Sequence, residues 1–190
     1  MFPPEHITSK DIVFLGDSLT ETFDLQKYFG KDNLRNRGMS GNMTEHVLYR
    51  LEEIFKAKPA ILFLMIGIND IYQGVKPEFV IGNISRILTE LQENTPQTVI
   101  YCQSILPVNE SRLLSFENIN SKVYQVNNSL REFCKENNIQ FIDIHPDFLN
   151  HQGQMDEIYT YDGVHLTEQG YRHWAELIID YLTLFRKKSC

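Results

Sequence analysis

Short apolar runs alternate along the chain with longer segments whose apolar residues recur every three or four positions. The short runs are typical of buried strands, and the longer segments are typical of amphipathic helices. Strands are predicted at residues 11–15, 33–37, 60–66, 98–103 and 139–144. Helices are predicted at residues 18–28, 44–55, 77–92, 117–137 and 167–185.

The alternation of strands and helices favours one fold class. Consecutive parallel strands need a long crossover connection, and a helix in each crossover covers one face of the sheet. The run 60–66 contains no polar residue, as is typical of a strand buried on both faces. We therefore expect an α/β protein with a parallel sheet, and the length of 190 residues predicts a single domain over residues 1–190.

Loops rich in glycine and small polar residues follow the first three predicted strands. They are Gly16-Asp-Ser-Leu19, Gly38-Met-Ser-Gly-Asn42 and Gly67-Ile-Asn-Asp70. The carboxyl ends of parallel strands lie at one edge of the sheet, where ligands bind in open α/β folds. We therefore expect these three loops to meet and to form a site.

The residue types in these loops suit acyl transfer through a serine. Such chemistry needs a nucleophile, a base, a group that orients the base, and donors for the developing oxyanion. Ser18 supplies a hydroxyl at a strand end, Gly41 an open backbone N–H, and Asn69 a neutral amide. Near the chain end, Asp162 and His165 are three residues apart with a glycine between them, a spacing that can place the carboxylate against the imidazole.

Structural roles for the same residues remain open from sequence alone. Asp17 and Ser18 could form only a turn and a helix cap. Gly41 could only turn a loop, and Asn69 could only cap the third strand.

At these positions the chain resembles the SGNH hydrolases, also called the GDSL esterase/lipase family. It resembles the branch related to platelet-activating-factor acetylhydrolase and thioesterase I. Four blocks occur in family order and span nearly the whole chain. They are Gly16-Asp-Ser-Leu19, Asn36-Arg-Gly-Met-Ser-Gly41, Gly67-Ile-Asn-Asp70 and Asp162-Gly-Val-His165. Each block is short, but the four in order are specific.

The resemblance implies a three-layer α/β/α sandwich with a five-stranded, flavodoxin-like parallel sheet. It implies a serine esterase that hydrolyses carboxylic esters or thioesters of short to medium acyl or acetyl groups through an acyl-enzyme, without metal or cofactor. Ser18 would be the nucleophile, His165 the base and Asp162 its orienting partner. The oxyanion hole would be formed by the Ser18 and Gly41 N–H groups and the Asn69 amide.

The long connection after the fourth predicted strand carries apolar side chains on the same edge of the sheet. We expect them to form an acyl-binding wall, with packing inside the loop as the alternative. These side chains are Leu106, Leu113, Leu114 and Phe116.

A second cluster, Asp143-Ile-His-Pro-Asp147, lies at the end of the fifth predicted strand and has the donor types of a metal site. A strand end turned by Pro146 with solvated side chains explains it more simply. We therefore predict no metal here, and we expect His145 and His151 to be less firmly held than His165.

Composition limits the partners. The formal net charge of −7 argues against nucleic acid, whose binding depends on cations that contact phosphates. No signal peptide is seen, and the longest apolar run, Ala60–Ile68, is too short to span a bilayer, so we expect a cytoplasmic protein without stable membrane insertion. The three cysteines are expected to be free thiols. A homodimer is compatible with the sequence.

Three other functions compete with the esterase. A flavodoxin-like phosphate or flavin binder needs a phosphate loop after the first strand, where Asp17 would repel phosphate. A haloacid-dehalogenase-type phosphatase needs Asp-x-Asp after that strand, and the motif is absent there. The third is a catalytically inactive relative of the family that binds a partner.

Overall fold

A five-stranded parallel sheet forms the centre of the computed structural model, which describes residues 6–113 and 118–182. The strand order is β2-β1-β3-β4-β5, which is the flavodoxin-like order. The predicted three-layer fold is therefore confirmed. The strands are β1 (Ile12–Gly16), β2 (Leu34–Gly38), β3 (Ile61–Met65), β4 (Val99–Gln103) and β5 (Gln140–Ile142).

Helices cover both faces of the sheet and occupy the crossovers between the strands. Short 3-10 turns also occur at Glu110–Arg112, His145–Phe148 and Ile179–Leu182. Within the described residues, no helix is both long enough and apolar enough to cross a membrane. The helices are α1 (Ser18–Glu21), α2 (Leu25–Phe29), α3 (Thr44–Tyr49), α4 (Glu52–Ala57), α5 (Ile68–Tyr72), α6 (Pro77–Asn94), α7 (Ile119–Glu136) and α8 (Glu168–Ile178).

The sheet is buried on both faces, as the apolar strand runs predict. Along β1, Val13 and Leu15 join the core on the side of α3, α6 and α7, whereas Ile12 and Phe14 join the core on the side of α8. All five residues of β3 are buried. The alternation of Cβ directions along a strand divides these residues between two cores, which hold the strand ends in fixed positions.

Two predicted helices are each broken in two. The helix predicted at 18–28 ends after Glu21, and a second one starts where the Asp24 carboxylate accepts a hydrogen bond from the Lys27 N–H (3.0 Å). The helix predicted at 44–55 is interrupted at Arg50, whose side chain bonds to backbone carbonyls outside the helix. The Asp24 cap and the Arg50 contacts therefore accompany helix breaks that the continuous spacing of apolar residues does not predict.

The other boundaries differ by a few residues. The fifth strand is shorter than predicted, because the N–H of Ile144 donates to the Ser104 hydroxyl (2.9 Å) instead of to a strand. Cys102 and Cys134 are free and buried. Cys190 and the predicted extension of the last helix to residue 185 lie outside the described residues.

Candidate active site

Ser18, His165 and Asp162 form a hydrogen-bonded chain at the carboxyl end of β1. Ser18 is the first residue of α1, and the other two lie in the loop before α8. The Ser18 Oγ is 3.1 Å from His165 Nε2, and His165 Nδ1 is 2.7 Å from Asp162 Oδ2. The structure therefore brings together the three residues that the sequence predicts as nucleophile, base and orienting acid.

The ionisation of Asp162 determines which ring nitrogen of His165 carries the proton. Burial alone would raise the pKa of the Asp162 carboxyl, but hydrogen bonds from the His165 ring and from the Val164 and His165 N–H groups together lower that pKa below its usual value. The carboxylate is therefore ionised at neutral pH and accepts a hydrogen bond from the Nδ1–H group of His165. In neutral His165, Nε2 then carries the lone pair that can accept the Ser18 proton.

The turn from Asp162 to His165 is fixed by its own backbone. Asp162 Oδ1 accepts the N–H groups of Val164 (2.9 Å) and His165 (2.8 Å). Gly163 has a φ of 100°, a conformation that side chains rarely adopt. The glycine in this motif therefore allows the carboxylate to bond both the ring and the backbone of the same histidine.

Two buried polar residues that the sequence analysis missed support this turn. The Thr160 hydroxyl donates to the His165 carbonyl (2.9 Å) and accepts the Gly163 N–H (2.8 Å). The Asn109 N–H donates to the Gly163 carbonyl (2.8 Å), and its side-chain amide donates to the Met155 carbonyl (2.9 Å). Both residues lie in stretches without periodicity, so no sequence signal marks them.

The Ser18 turn is tightly packed. A Cβ on Gly16 would lie 2.5 Å from the Met65 carbonyl oxygen, so this position has room only for glycine. The cap of α1 is Asp17, which is 1% exposed and accepts the Leu19 N–H (3.0 Å). Because Asp17 is the cap, the Ser18 hydroxyl remains available to His165.

The two other predicted oxyanion donors lie on either side of Ser18. Gly41 lies in the loop after β2, whereas Asn69 lies in the short helix α5, where the sequence predicted a loop. Strands β2 and β3 both pair with β1, so their carboxyl ends flank the nucleophile. Gly41 has a φ of 75°, and a Cβ there would meet nothing within 4 Å, so glycine is required by the backbone conformation. The Asn69 amide donates one hydrogen bond to the Asn42 carbonyl (2.9 Å), which joins the start of α5 to the loop that contains Gly41.

Charged residues also fasten these loops, and the sequence analysis did not single them out. The Arg50 guanidinium donates to the Arg37 and Gly16 carbonyls, both at 2.8 Å, and so joins the ends of β2 and β1. The Glu21 carboxylate accepts the Ser40 N–H (3.0 Å) and also the Ser40 hydroxyl. The backbone next to Gly41 is therefore held from two sides.

The predicted acyl-binding residues lie in different places. Leu106 is 2% exposed and belongs to the core on the α8 side, so its side chain is enclosed by protein. Leu113 is partly buried and lies beside Gly163 of the active-site turn. Leu114 and Phe116 lie outside the described residues. The wall remains a prediction that rests on Leu113.

The alternative metal cluster has other partners. Asp143 is paired with Arg131, and the Nε2 of His145 is buried without a hydrogen-bond partner among the described residues. No group of three or more His, Cys, Asp or Glu residues is arranged to hold a metal ion in the described ranges. His173 bonds the Asp147 carbonyl (3.0 Å), and His46 bonds the Met43 N–H (3.0 Å).

Comparisons with known proteins indicate the same family that the sequence motifs suggest. A model of the GDSL-like lipase/acylhydrolase family matches residues 14–173. Human platelet-activating factor acetylhydrolase IB subunit alpha1 is 29% identical over 168 residues, which is 85% of this chain and 70% of that protein.

Solved structures agree with this result. One from Streptococcus pneumonia, described as a candidate platelet activating factor, is 29% identical with a TM-score of 0.82 and covers 93% of this chain and 85% of its own. A GDSL-like lipase from Bacteroides thetaiotaomicron has the same fold, with a TM-score of 0.81 and 23% identity over 92% of this chain and 88% of its own.

The family match covers all four sequence blocks and most of the chain. The resemblance seen in the sequence is therefore confirmed. This chain belongs to the GDSL-like lipase/acylhydrolase family and is a carboxylic ester hydrolase.

Proposed function

We propose that the protein hydrolyses esters through a covalent acyl-enzyme on Ser18. The observation that carries the proposal is the continuous hydrogen-bonded chain from the Ser18 hydroxyl through His165 to Asp162, with distances of 3.1 and 2.7 Å. A serine is a weak nucleophile until a positioned base takes its proton. In this chain the base is His165, and Asp162 holds the ring in the required tautomer.

In the acylation half-reaction, His165 Nε2 takes the Ser18 proton while Oγ attacks the ester carbonyl carbon. The carbonyl oxygen becomes an oxyanion, which accepts hydrogen bonds from the N–H groups of Ser18 and Gly41 and from the free N–H of the Asn69 amide. The tetrahedral intermediate then collapses. The carbon–oxygen bond to the leaving group breaks, and the alcohol departs with the proton from His165.

The deacylation half-reaction repeats these steps with water. His165 takes a proton from the water molecule, whose oxygen attacks the acyl carbon bound to Ser18. The same donors hold the second oxyanion. Cleavage of the Ser18 ester returns the proton to Oγ and releases the carboxylic acid, so all catalytic groups recover their initial state.

We infer that the acyl group is short to medium in length, with acetyl as the first candidate. The human relative is named as an acetylhydrolase of platelet-activating factor, which supports a small acyl group here. Leu113 lies beside the active-site turn and supplies an apolar contact. Tyr161 stacks its ring on His165, with centroids 5.9 Å apart, and is exposed to solvent. We assign the whole activity to a single domain over residues 1–190.

The test compares two serine variants on p-nitrophenyl esters of increasing acyl length. Ser18→Ala should lower kcat by at least about 10⁴-fold, because the removed group is the nucleophile. Ser129→Ala, in helix α7, should retain wild-type rates and serves as the matched control. Chelators should leave the wild-type rate unchanged. Retention of activity in Ser18→Ala, with loss on chelation, would contradict the proposal.

A further inference from the structure

A buried carboxylate lies next to the Asn69 donor and bonds Thr44, the first residue of helix α3, which follows the Gly41 loop. Asp70 is 1% exposed, and its Oδ1 and Oδ2 accept the Thr44 hydroxyl (2.6 Å) and the Thr44 N–H (2.9 Å). Thr44 is itself fully buried. The two bonds fix both the position and the orientation of Thr44, which begins helix α3.

The Thr44 hydroxyl also accepts a hydrogen bond from a third residue. Asn83 of helix α6 donates its amide to Thr44 Oγ1 (2.8 Å), while the same hydroxyl donates to Asp70. The order of donors therefore runs from Asn83 through Thr44 to Asp70. Three elements, α6, α3 and α5, are joined by this chain, in which Thr44 and Asp70 are buried and Asn83 is partly buried, and a hydrogen-bonded network of this kind makes the elements that it joins more rigid.

The chain of hydrogen bonds from Asn83 to Asp70 lies beside the hydrogen bond that joins Asn69 to Asn42. Asn69 and Asp70 are consecutive residues, and they bind Asn42 and Thr44 respectively. On one side of Gly41 the Glu21 carboxylate holds Ser40, and on the other side the Asn69 amide holds the Asn42 carbonyl. The two bonds from Asp70 add an attachment at Thr44, which fixes the far end of this segment relative to Asn69.

We propose that Asp70 is a positioning residue that sets the separation between the Gly41 N–H and the Asn69 amide by holding Thr44. This inference rests on the proposed function, in which those two groups bind the oxyanion. A displacement of about 1 Å between catalytic groups can lower a rate by roughly 10²-fold, even when the altered residue does not contact the substrate.

The first test separates kcat from KM. Asp70→Asn replaces an acceptor of the Thr44 bonds with an amide nitrogen and should lower kcat about 10- to 100-fold, with KM unchanged within about twofold, because the oxyanion exists only in the transition state. Thr44→Val should give the same pattern. Thr44→Ser keeps the hydroxyl and should restore most of kcat.

A matched control separates positioning from general destabilisation. Asp11 is also buried, at the opposite end of β1, and its carboxylate accepts the N–H (2.6 Å) and hydroxyl (2.9 Å) of Thr8. Asp11→Asn therefore changes a similar pair of bonds, and also an ion pair with Arg35 (3.2 Å), at the other end of the strand from the proposed oxyanion hole. It should lower the melting temperature and leave kcat unchanged. An equal loss of kcat in both Asn variants would overturn the proposal.

A double-mutant cycle identifies the route of the effect. If Asp70 acts through the oxyanion donors, Asp70→Asn should lower kcat much less in an Asn69→Ala background than in the wild type. Additive losses would overturn the positioning role while leaving the oxyanion role of Asn69 intact. An Asn69→Ala variant with wild-type kcat would overturn both, and so the two failures are distinguishable.

Discussion

Replacing the buried Asp17 should change how stability depends on pH. Asp17 is 1% exposed, and burial raises the pKa of its carboxyl from 3.8 to about 7, against the opposing effects of the Leu19 N–H and the nearby His165. The folded protein therefore keeps a proton on Asp17 at pH values where the unfolded chain has released it. The free energy of unfolding should fall as pH rises from about 4 to about 7 and then level off.

The size of this effect follows from the shift. A difference of about 3 pKa units corresponds to roughly 4 kcal/mol at high pH, since each unit is worth 1.36 kcal/mol. Part of this is already lost at pH 5, so the change between pH 5 and pH 8 is about 2–3 kcal/mol. Asp17→Asn keeps the oxygen that accepts the Leu19 N–H and cannot ionise. Between pH 5 and pH 8, the free energy of unfolding of the variant should therefore rise by about 2–3 kcal/mol relative to that of the wild type.

The assay is urea unfolding of both proteins at pH 5, 6, 7 and 8. Other titrating groups are common to both chains, so they cancel in the difference between the two proteins. Asp24→Asn is the matched control, because Asp24 caps α2 in the same way but is exposed. The difference for Asp17→Asn should rise with pH by more than the difference for this control variant does. A pH-independent difference for Asp17→Asn would refute the reasoning.

Further predictions concern the proposed site. Asn69→Ala should lower kcat by about 10²–10³ with little change in KM, as for one oxyanion donor, and steady-state kinetics on a p-nitrophenyl ester measure both constants. His165→Ala should nearly abolish activity and Asp162→Asn should lower kcat by about 10⁴, whereas His145→Ala should keep most of the rate; a reversed order would move the base to His145. Replacing Leu113 with Gln should shift the preferred acyl length, since one methylene is worth roughly 1–3 kcal/mol in an apolar pocket. An unchanged length profile with full activity would show that Leu113 only packs the loop.

The fold was predictable because its main signals are local. The strand β3 is a continuous apolar run, as is typical of a strand buried on both faces. The alternation of strands and helices predicts a parallel sheet, because parallel strands need crossover connections. The breaks at Asp24 and Arg50 were not predictable, since they depend on a cap that competes with an apolar period and on bonds to distant carbonyls. A period of apolar residues reports which face is buried and does not report where a helix is interrupted.

The candidate site was predictable where chemistry and spacing coincide. Asp162 and His165 lie in one turn, so their contact follows from the glycine between them. The residues that hold this turn, Thr160 and Asn109, come from stretches without a pattern, and their roles depend on tertiary contacts. Leu106 shows what position in the sequence does not report. Its place in an irregular connection suggested an acyl-binding wall, with packing as the alternative, and the folded chain encloses its side chain in the core.

The most direct test of the account is to trap the covalent intermediate. The protein is mixed with p-nitrophenyl acetate, quenched in acid within milliseconds, and analysed by mass spectrometry after proteolysis. We expect a single acetyl group on Ser18 and, where deacylation is the slower step, a burst of one p-nitrophenol per chain, with both signals lost in His165→Ala. An acetyl group on a residue other than Ser18, or an acetyl group on Ser18 that forms equally fast in His165→Ala, would contradict this mechanism.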